Sequence, residues 1–449
     1  MSECRRAASN LSKISTHISS TNGIEWRASS ASLMERVAFD RFDRGISSFY
    51  LGVALPVPVV TPFGCARQGM CLEMPRMKRK SIFLSVLVAI ALDANAQSST
   101  TLYGIIDDGI TWSSNQGGSS ALQMHGSISQ GNRWGLRGSE DLGAGLSSVF
   151  RLESGFNGNT GAASQGGRLF GRLAFVGLQS RRYGTLTFGR QGEAIGDYIG
   201  LLAANAVLPG GILFPHPGDL DNNGVDFHLS NAVKYVSPTM DGLTGVAIYS
   251  FGGAAGNLAR NSAKSFALTY AAGGLQLVGA YTAIDHPATA VPEGVWTAAN
   301  TVDGLYGMAA GSYRVIGLGG AYEFGRLRLS TDWTHTRFGD LDPTIGAKLD
   351  GHVTFDIFEL VASYMITPAL QLGGAYSYTL GNVSSTGTKP RYQEFDASID
   401  YFLSKATDVY ATATYMRAGG GAVADLAPVL AASSSQNQVA LRLAIRKRF

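Results

Sequence analysis

From residue 100 to the carboxyl terminus the chain is a series of short segments in which apolar and polar positions alternate, separated by Gly, Asn, Asp, Ser and Pro clusters. A period of two sends successive side chains to opposite faces of a strand. In LSSVFRLESGF, Leu146, Phe150, Leu152 and Phe156 share one face, and Arg151 and Glu153 the other. RLRLSTDWTH sets Leu327, Leu329 and Trp333 against Arg328, Ser330 and Asp332, and LQLGGAYSY sets Leu370, Leu372, Tyr376 and Tyr378 against Gln371 and Ser377. The last segment, QVALRLAIRKRF, opposes Val439, Leu441, Leu443, Ile445 and Phe449 to Arg442, Arg446 and Arg448. No helix-period segment of any length interrupts the series.

Which face meets water decides the class. Many segments run to about ten residues, the length a tilted strand needs to cross a bilayer. Tyr and Phe recur near segment ends, where interfacial girdles sit. The apolar face therefore meets lipid and the charged face lines a lumen. Candidate strands begin near Thr100, Ser127, Leu146, Arg168, Tyr183, Leu229, Leu243, Ala263, Leu275, Ser312, Leu327, His352, Leu370, Arg391, Asp408 and Gln438, sixteen in all. The expected fold is all-β: a closed transmembrane antiparallel barrel of about sixteen strands. Such a barrel keeps an aqueous bore. Short connections such as SEDLGAG, SRRYG, TMDG, AAGG, EFGR, ITPA and SKAT have turn chemistry and should be periplasmic. Longer ones, 287–311, 339–351 and 419–437, should face outward.

Upstream, MKRKSIFLSVLVAIALDANAQ has a basic start at Lys78, Arg79 and Lys80, an apolar run from Ile82 to Leu92 and the small-x-small triplet Ala94, Asn95, Ala96. Those are the parts of a secretory signal, too short to span a membrane. The expected organisation is an upstream non-native or disordered extension over 1–76, a signal peptide over 77–96 and the barrel over 97–449. Composition divides at the same place. Cys4, Cys65 and Cys71 all precede Met77, so the exported chain has no disulfide, zinc-thiolate site or Cys nucleophile. Residues 1–96 hold twelve Lys/Arg and seven Asp/Glu, so the formal charge of +3 becomes −2 after the cut. The basic balance then gives no reason to expect a nucleic-acid partner.

TLYGIIDDGI, RWGLRGSEDLGAGLSSVFRLESGF, GRLAFVGLQSRRYGTLTFGRQ, NAVKYVSP and the terminal RKRF, in this order and spacing, resemble the Gram-negative general porins in their beta-proteobacterial branch. The resemblance covers essentially all of 97–449. It implies a homotrimer of barrels in the cell outer membrane, each an open diffusion pore for ions and small hydrophilic solutes, with a long third loop folded into the bore. It also implies that Phe449 is an assembly signal read by the outer-membrane insertion machinery. Mapped by position, the loop lies between Gln191 and His228, and its acids are Glu193, Asp197, Asp219, Asp221 and Asp226. On the basic wall, Arg133 and Arg172 match the family's arginine positions best. Arg137 and Arg151 share the lumen-facing register of their strands, and Arg190 and Lys234 complete the candidate set. Both signs line the constriction, so weak selectivity is expected, its sign unassigned.

Rival chemistries are weaker. DLDNNGVDFHLS spaces Asp219, Asp221, Asn223 and Gly224 like a helix-loop-helix calcium loop, but its twelfth position is Ser230 and no helices flank it. The seven histidines show no metal-ligand spacing, and GGAAG at Gly252 precedes no helix. No Ser/His/Asp set has a nucleophile turn, so no enzyme, metal or cofactor is expected. Two other functions remain open: a substrate-specific channel on the same barrel, and a structural or adhesive surface protein.

Overall fold

The computed structural model describes residues 98–345 and 350–449. The extension over 1–76 and the signal-like stretch, with Gln97, lie outside these residues. Among the described residues seventeen strands form one antiparallel sheet that closes on itself. In chain order they are β1 (Ser99–Gln116), β2 (Ser119–Gly126), β3 (Arg133–Gly143), β4 (Leu146–Gly155), β5 (Leu173–Ser180) and β6 (Gly184–Gln191). After a long connection come β7 (Leu229–Val236), β8 (Leu243–Ser250), β9 (Ala263–Ala272), β10 (Leu275–Asp285), β11 (Ala310–Phe324) and β12 (Leu327–Leu341). The last five are β13 (His352–Thr367), β14 (Leu370–Val383), β15 (Arg391–Ser404), β16 (Thr407–Gly419) and β17 (Asn437–Arg448).

The barrel has sixteen staves because β2 and β3 are two parts of one. One edge of β1 pairs with β17, from Ile105↔Arg448 to Ser113↔Ala440. The other pairs with β3 over Ser99–Ile105 and with β2 from Asp108 onward. The break at 127–132 has a local cause. Ser127 takes a positive φ of 69°, and the Asp107 carboxylate accepts from the Ser129 and Gln130 N–H groups at 2.6 and 3.0 Å, drawing the segment into the bore. The strand expected from Ser127 is therefore interrupted at that point, and β2 ahead of it went unrecognised. The strand expected from Arg168 starts at Leu173, because 157–172 is a loop whose Gly166 and Gly167 have φ of 69° and 77°. The other fourteen starts agree within two residues.

Alternation assigns the faces as expected. On β17, Leu441, Leu443 and Ile445 are exposed on the outer wall, Leu443 at 68 %, while Arg442, Arg446 and Arg448 are buried inside. Outer-face aromatics meet across strands, with Tyr376 and Phe395 ring centroids 4.7 Å apart. No helix among the described residues is long and apolar enough to cross a membrane. Short turns gather on the rim that carries Ser99 and Phe449, and the other rim carries the long connections together with the tight turn 117–118. Three of the long ones turn inward: 192–228 enters the barrel, and 286–309 and 420–436 fold over the mouth, where Asp425 accepts from the Thr301 N–H and hydroxyl at 3.0 and 2.7 Å.

Candidate pore constriction

The connection 192–228 is polar at its ends and apolar in its middle, and the wall is shaped to receive it. Ile195, Ile199, Leu202 and Leu208 are all buried. They pack over lumen-facing glycines, where side chains on the wall would block them. A Cβ at Gly317 would lie 2.9 Å from Ile199, at Gly319 2.6 Å from Leu202, and at Gly373 2.1 Å from Leu208. Burial of each aliphatic side chain stabilises the seated loop by about 1.5–3 kcal/mol. Direct bonds add register: Ala194 N–H donates to Ser265 Oγ at 2.7 Å, Ala204 N–H to Glu359 Oε2 at 3.0 Å, and Ser330 Oγ to the Leu202 carbonyl at 2.5 Å. The loop then crosses the bore, where Ile212 N–H donates to the Ile128 carbonyl at 2.8 Å on the inward segment between β2 and β3. On its return Phe227 packs against Trp296 and Tyr313, with ring centroids 5.6 and 6.1 Å away.

The cations gather on β3 and β4, at Arg172 just ahead of β5, and on β6 and β7. Arg172 Nε lies 2.7 Å from Glu153 Oε1, Arg151 Nη2 2.8 Å from Glu153 Oε2 and Arg133 Nε 3.8 Å from Oε1. The Tyr103 hydroxyl donates to the same carboxylate at 2.7 Å and accepts from Arg151 Nε at 2.7 Å. Arg137 stands 5.5 Å from the centroid of the Tyr103 ring. Arg190 pairs with Glu293 from 286–309 and donates to the Gly171 carbonyl at 2.6 Å. Lys234 Nζ lies 2.7 Å from Asp197 Oδ2.

The loop acids divide by task. Asp197 faces the wall cation Lys234, whereas three others hold the loop's own backbone or its contact with the wall. Glu193 accepts from the Ile195 and Gly196 N–H groups at 2.7 and 2.6 Å, from Asn222 at 2.9 Å and from the Thr282 hydroxyl; burial pushes its carboxyl up despite these donors. Asp219 accepts from Gly224 N–H at 2.6 Å. Asp221 accepts from the Thr334 hydroxyl at 2.6 Å and lies 2.6 Å from His216 Nδ1. Burial disfavours a charged His216 ring, but Asp221, Asp332 and Glu359 outweigh it and raise its pKa to about 10. Burial and the Glu293 charge push half-buried Asp226 up to about 6. The calcium-like spacing of Asp219 and Asp221 is thus used for turn closure and wall anchoring.

Sequence reasoning placed Glu153 on the lumen face without giving it the central position among the arginines. It did not select Glu293, whose loop carries no periodicity. It also passed over the acidic arc on β12 to β15, where Asp332, Glu359, Glu394, Asp396 and Asp400 are buried on the inner face. Their alternation in strands was the available signal. By strand order this arc lies nearly opposite the arginines of β3 to β5. Between the loop and the basic side is a cavity of about 670 Å³, bounded among others by Arg151, Lys234, Asp197 and Tyr198. That volume suits small solutes.

The sequence profile of the Gram-negative porins matches residues 84–421. An outer membrane porin protein of Bordetella pertussis is 30% identical over 387 residues, covering 76% of this chain and 94% of its own. Outer membrane porin protein 32 of Delftia acidovorans is 27% identical over 352 residues, covering 76% and 90%. Among solved structures, an anion-selective porin from Comamonas acidovorans superposes with a TM-score of 0.63 at 22% identity, over 79% of this chain and all of that one. A trimer form of OmpT from Vibrio cholerae superposes with a TM-score of 0.56 at 14% identity, over 78% and 99%. With a closed sixteen-stave wall, an apolar exterior and a charged bore, the chain belongs to the Gram-negative porin family and is a diffusion channel of the cell outer membrane.

Proposed function

We propose that the bore passes small hydrophilic solutes and ions with a preference for anions, through a constriction formed by 192–228 and the basic arc. The observation that carries this reading is the crowding of Arg133, Arg151 and Arg172 around the carboxylate of Glu153, with Arg137 beside them. Arginine does not lose its proton, so this arc keeps fixed positive charges where solutes pass. Its likeness to a porin described as anion-selective supports the same sign. A substrate-specific channel would differ by conductance that saturates with one solute, and a structural barrel by absence of conductance.

Reversal potentials in a salt gradient across planar bilayers test the charges. Replacing Arg133 and Arg172 together with Ser moves selectivity toward cations, and Glu153→Gln moves it toward anions. Both shifts shrink near 1 M salt, where the Debye length is ~3 Å. Glu153→Gln also costs about 3–5 kcal/mol of stability, because it leaves buried arginines without their carboxylate. Replacing 203–214 by a short Gly-Ser link raises single-channel conductance, whereas trimming 253–259 does not. Wild-type conductance and selectivity in all of these variants would place the constriction elsewhere.

We further propose that translation starts at Met77 and that the mature chain begins at Gln97, on the signal-like pattern and the cysteine and charge partition. Amino-terminal sequencing of folded outer-membrane protein returns Gln97 first; recovery of Met1 or Ser2 overturns the assignment. The working assembly is a homotrimer in outer-membrane lipid, so bilayer traces close in three equal steps, and single-step closure excludes it. Phe449 is assigned as the signal read by the assembly machinery. Its ring lies against Gly104, and its backbone exchanges two hydrogen bonds with that residue, at 2.9 and 3.0 Å. Deleting Phe449 lowers the amount of heat-modifiable protein in cells more than it lowers refolding yield in detergent. Equal losses in the two settings would leave only a role in barrel closure.

A further inference from the structure

We propose that His216, Asp332 and Glu359 form a site for a zinc-type divalent cation that clamps the constriction loop to the barrel wall. Asp332 on β12 and Glu359 on β13 are direct cross-strand partners on the inner face, and two carboxylates placed so repel. His216 comes to them from the loop. Its Nε2 lies 3.5 Å from Asp332 Oδ1 and 3.9 Å from Glu359 Oε2, and one ligand atom from each of the three residues falls within 4.8 Å of the others. Ligands about 2.1 Å from a tetrahedral ion stand about 3.4 Å apart, so the group needs little movement to close on one.

Two further observations point to an ion. Asp332 is only 3 % exposed, and neither of its carboxylate oxygens has a well-formed hydrogen bond; its neighbours there are the His216 ring, 3.5 Å away, and the facing Glu359 carboxylate. His216 is also oriented as metal-binding imidazoles are. Its Nδ1 faces Asp221 Oδ2 at 2.6 Å, and Asp221 is itself held by the Thr334 hydroxyl. A carboxylate on one ring nitrogen fixes the tautomer and aims the other nitrogen at the metal. Binding replaces the proton on Nε2 with the ion, and the proton leaves to solvent. One imidazole with two carboxylates and no thiolate suits Zn²⁺ better than the oxygen-seeking Ca²⁺ or Mg²⁺. Three ligands from segments far apart in the chain explain why ligand spacing gave no sign of the site. The ion would join loop to wall where Ala204 N–H already meets Glu359, at 3.0 Å.

Equilibrium dialysis of the folded, chelator-treated porin in detergent against ZnCl₂ tests the site, with electrophoretic heat-modifiability as the check on folding. The wild type binds one Zn²⁺ per chain and, with Co²⁺ in its place, shows the visible absorption of a tetrahedral N/O site. Asp332→Asn, close to isosteric, abolishes binding, and Asp221→Asn, which spares the three ligands, weakens it about 10-fold or more. His352→Ala, at the mouth, binds as the wild type does. The proposal is overturned if the folded wild type takes up no Zn²⁺, in which case imidazolium alone offsets the acids. It is equally overturned if Asp332→Asn binds normally, if His352→Ala loses binding, or if Ca²⁺ competes at equal concentration. Conductance of the same samples keeps this outcome separate from the channel reading, since a porin that conducts and binds no zinc fails only here.

Discussion

Lipid offers no partner to a peptide N–H or carbonyl, and each one left open in the bilayer costs several kcal/mol, so the sheet must close. Closure rests on one seam. β1 pairs with β17 over nine residues, and Phe449 continues the pairing to Gly104. Space is tight along it: a Cβ at Gly109 would meet the Ala444 Cβ at 2.3 Å. The inner side is bound by charge. Asp107 lies 3.0 Å from Arg442 Nη2 and accepts from the Tyr410 hydroxyl at 2.7 Å, while Arg446 Nη2 lies 2.7 Å from Asp408 and 3.2 Å from Asp400. Removing one partner from such a buried set costs about 3–5 kcal/mol. The same Asp107 carboxylate draws in 127–132, so the interaction that locks the seam also makes the shelf on which the loop rests.

Once the wall is closed, each strand separates two solvents, and the loop meets the aqueous one. An apolar segment suspended in a wet bore is nevertheless held by hydrophobic burial. Ile195, Ile199, Leu202 and Leu208 together contribute more than the Lys234–Asp197 pair, since partly exposed ion pairs contribute about 0–1 kcal/mol. Gly317, Gly319 and Gly373 therefore help to seat the loop. They make the wall concave where the loop is apolar.

The alternation of apolar and polar positions made the wall legible, because period two reports directly which side faces lipid. It failed where a side chain overrode the pattern. Ser127 lies in a run of small polar residues that reads as strand, and long-range bonds, those to Asp107 among them, turn the segment inward. Arg151 was found because lumen register is local, and Arg133 and Arg172 through the family resemblance, whereas their meeting at Glu153 depends on the pairing and stagger of neighbouring strands. The loop's acids were found by position, but not their tasks. Asp219 bonds to Gly224, five residues further on, and Asp221 reaches a threonine more than a hundred residues away. Neither distance leaves a mark on composition.

Charge separation across the bore requires a rigid loop. The arginines of β3 to β5 and the carboxylates of β12 to β15 stand on nearly opposite arcs, and their field acts on a solute only if the gap between them stays narrow. At physiological ionic strength charges are screened over about 8 Å, so a loop that swung free would leave two independent surfaces and an unselective hole. Seating 192–228 against the acidic arc does two things. It covers Asp332 and Glu359, and it leaves Arg151 and Lys234 on the remaining cavity. On the proposed reading, the positive charge along the open path does not depend on the chain's formal net charge of +3. On that reading it follows from which acids the loop buries, and selectivity would in that sense be a property of the loop's packing as much as of the arginines.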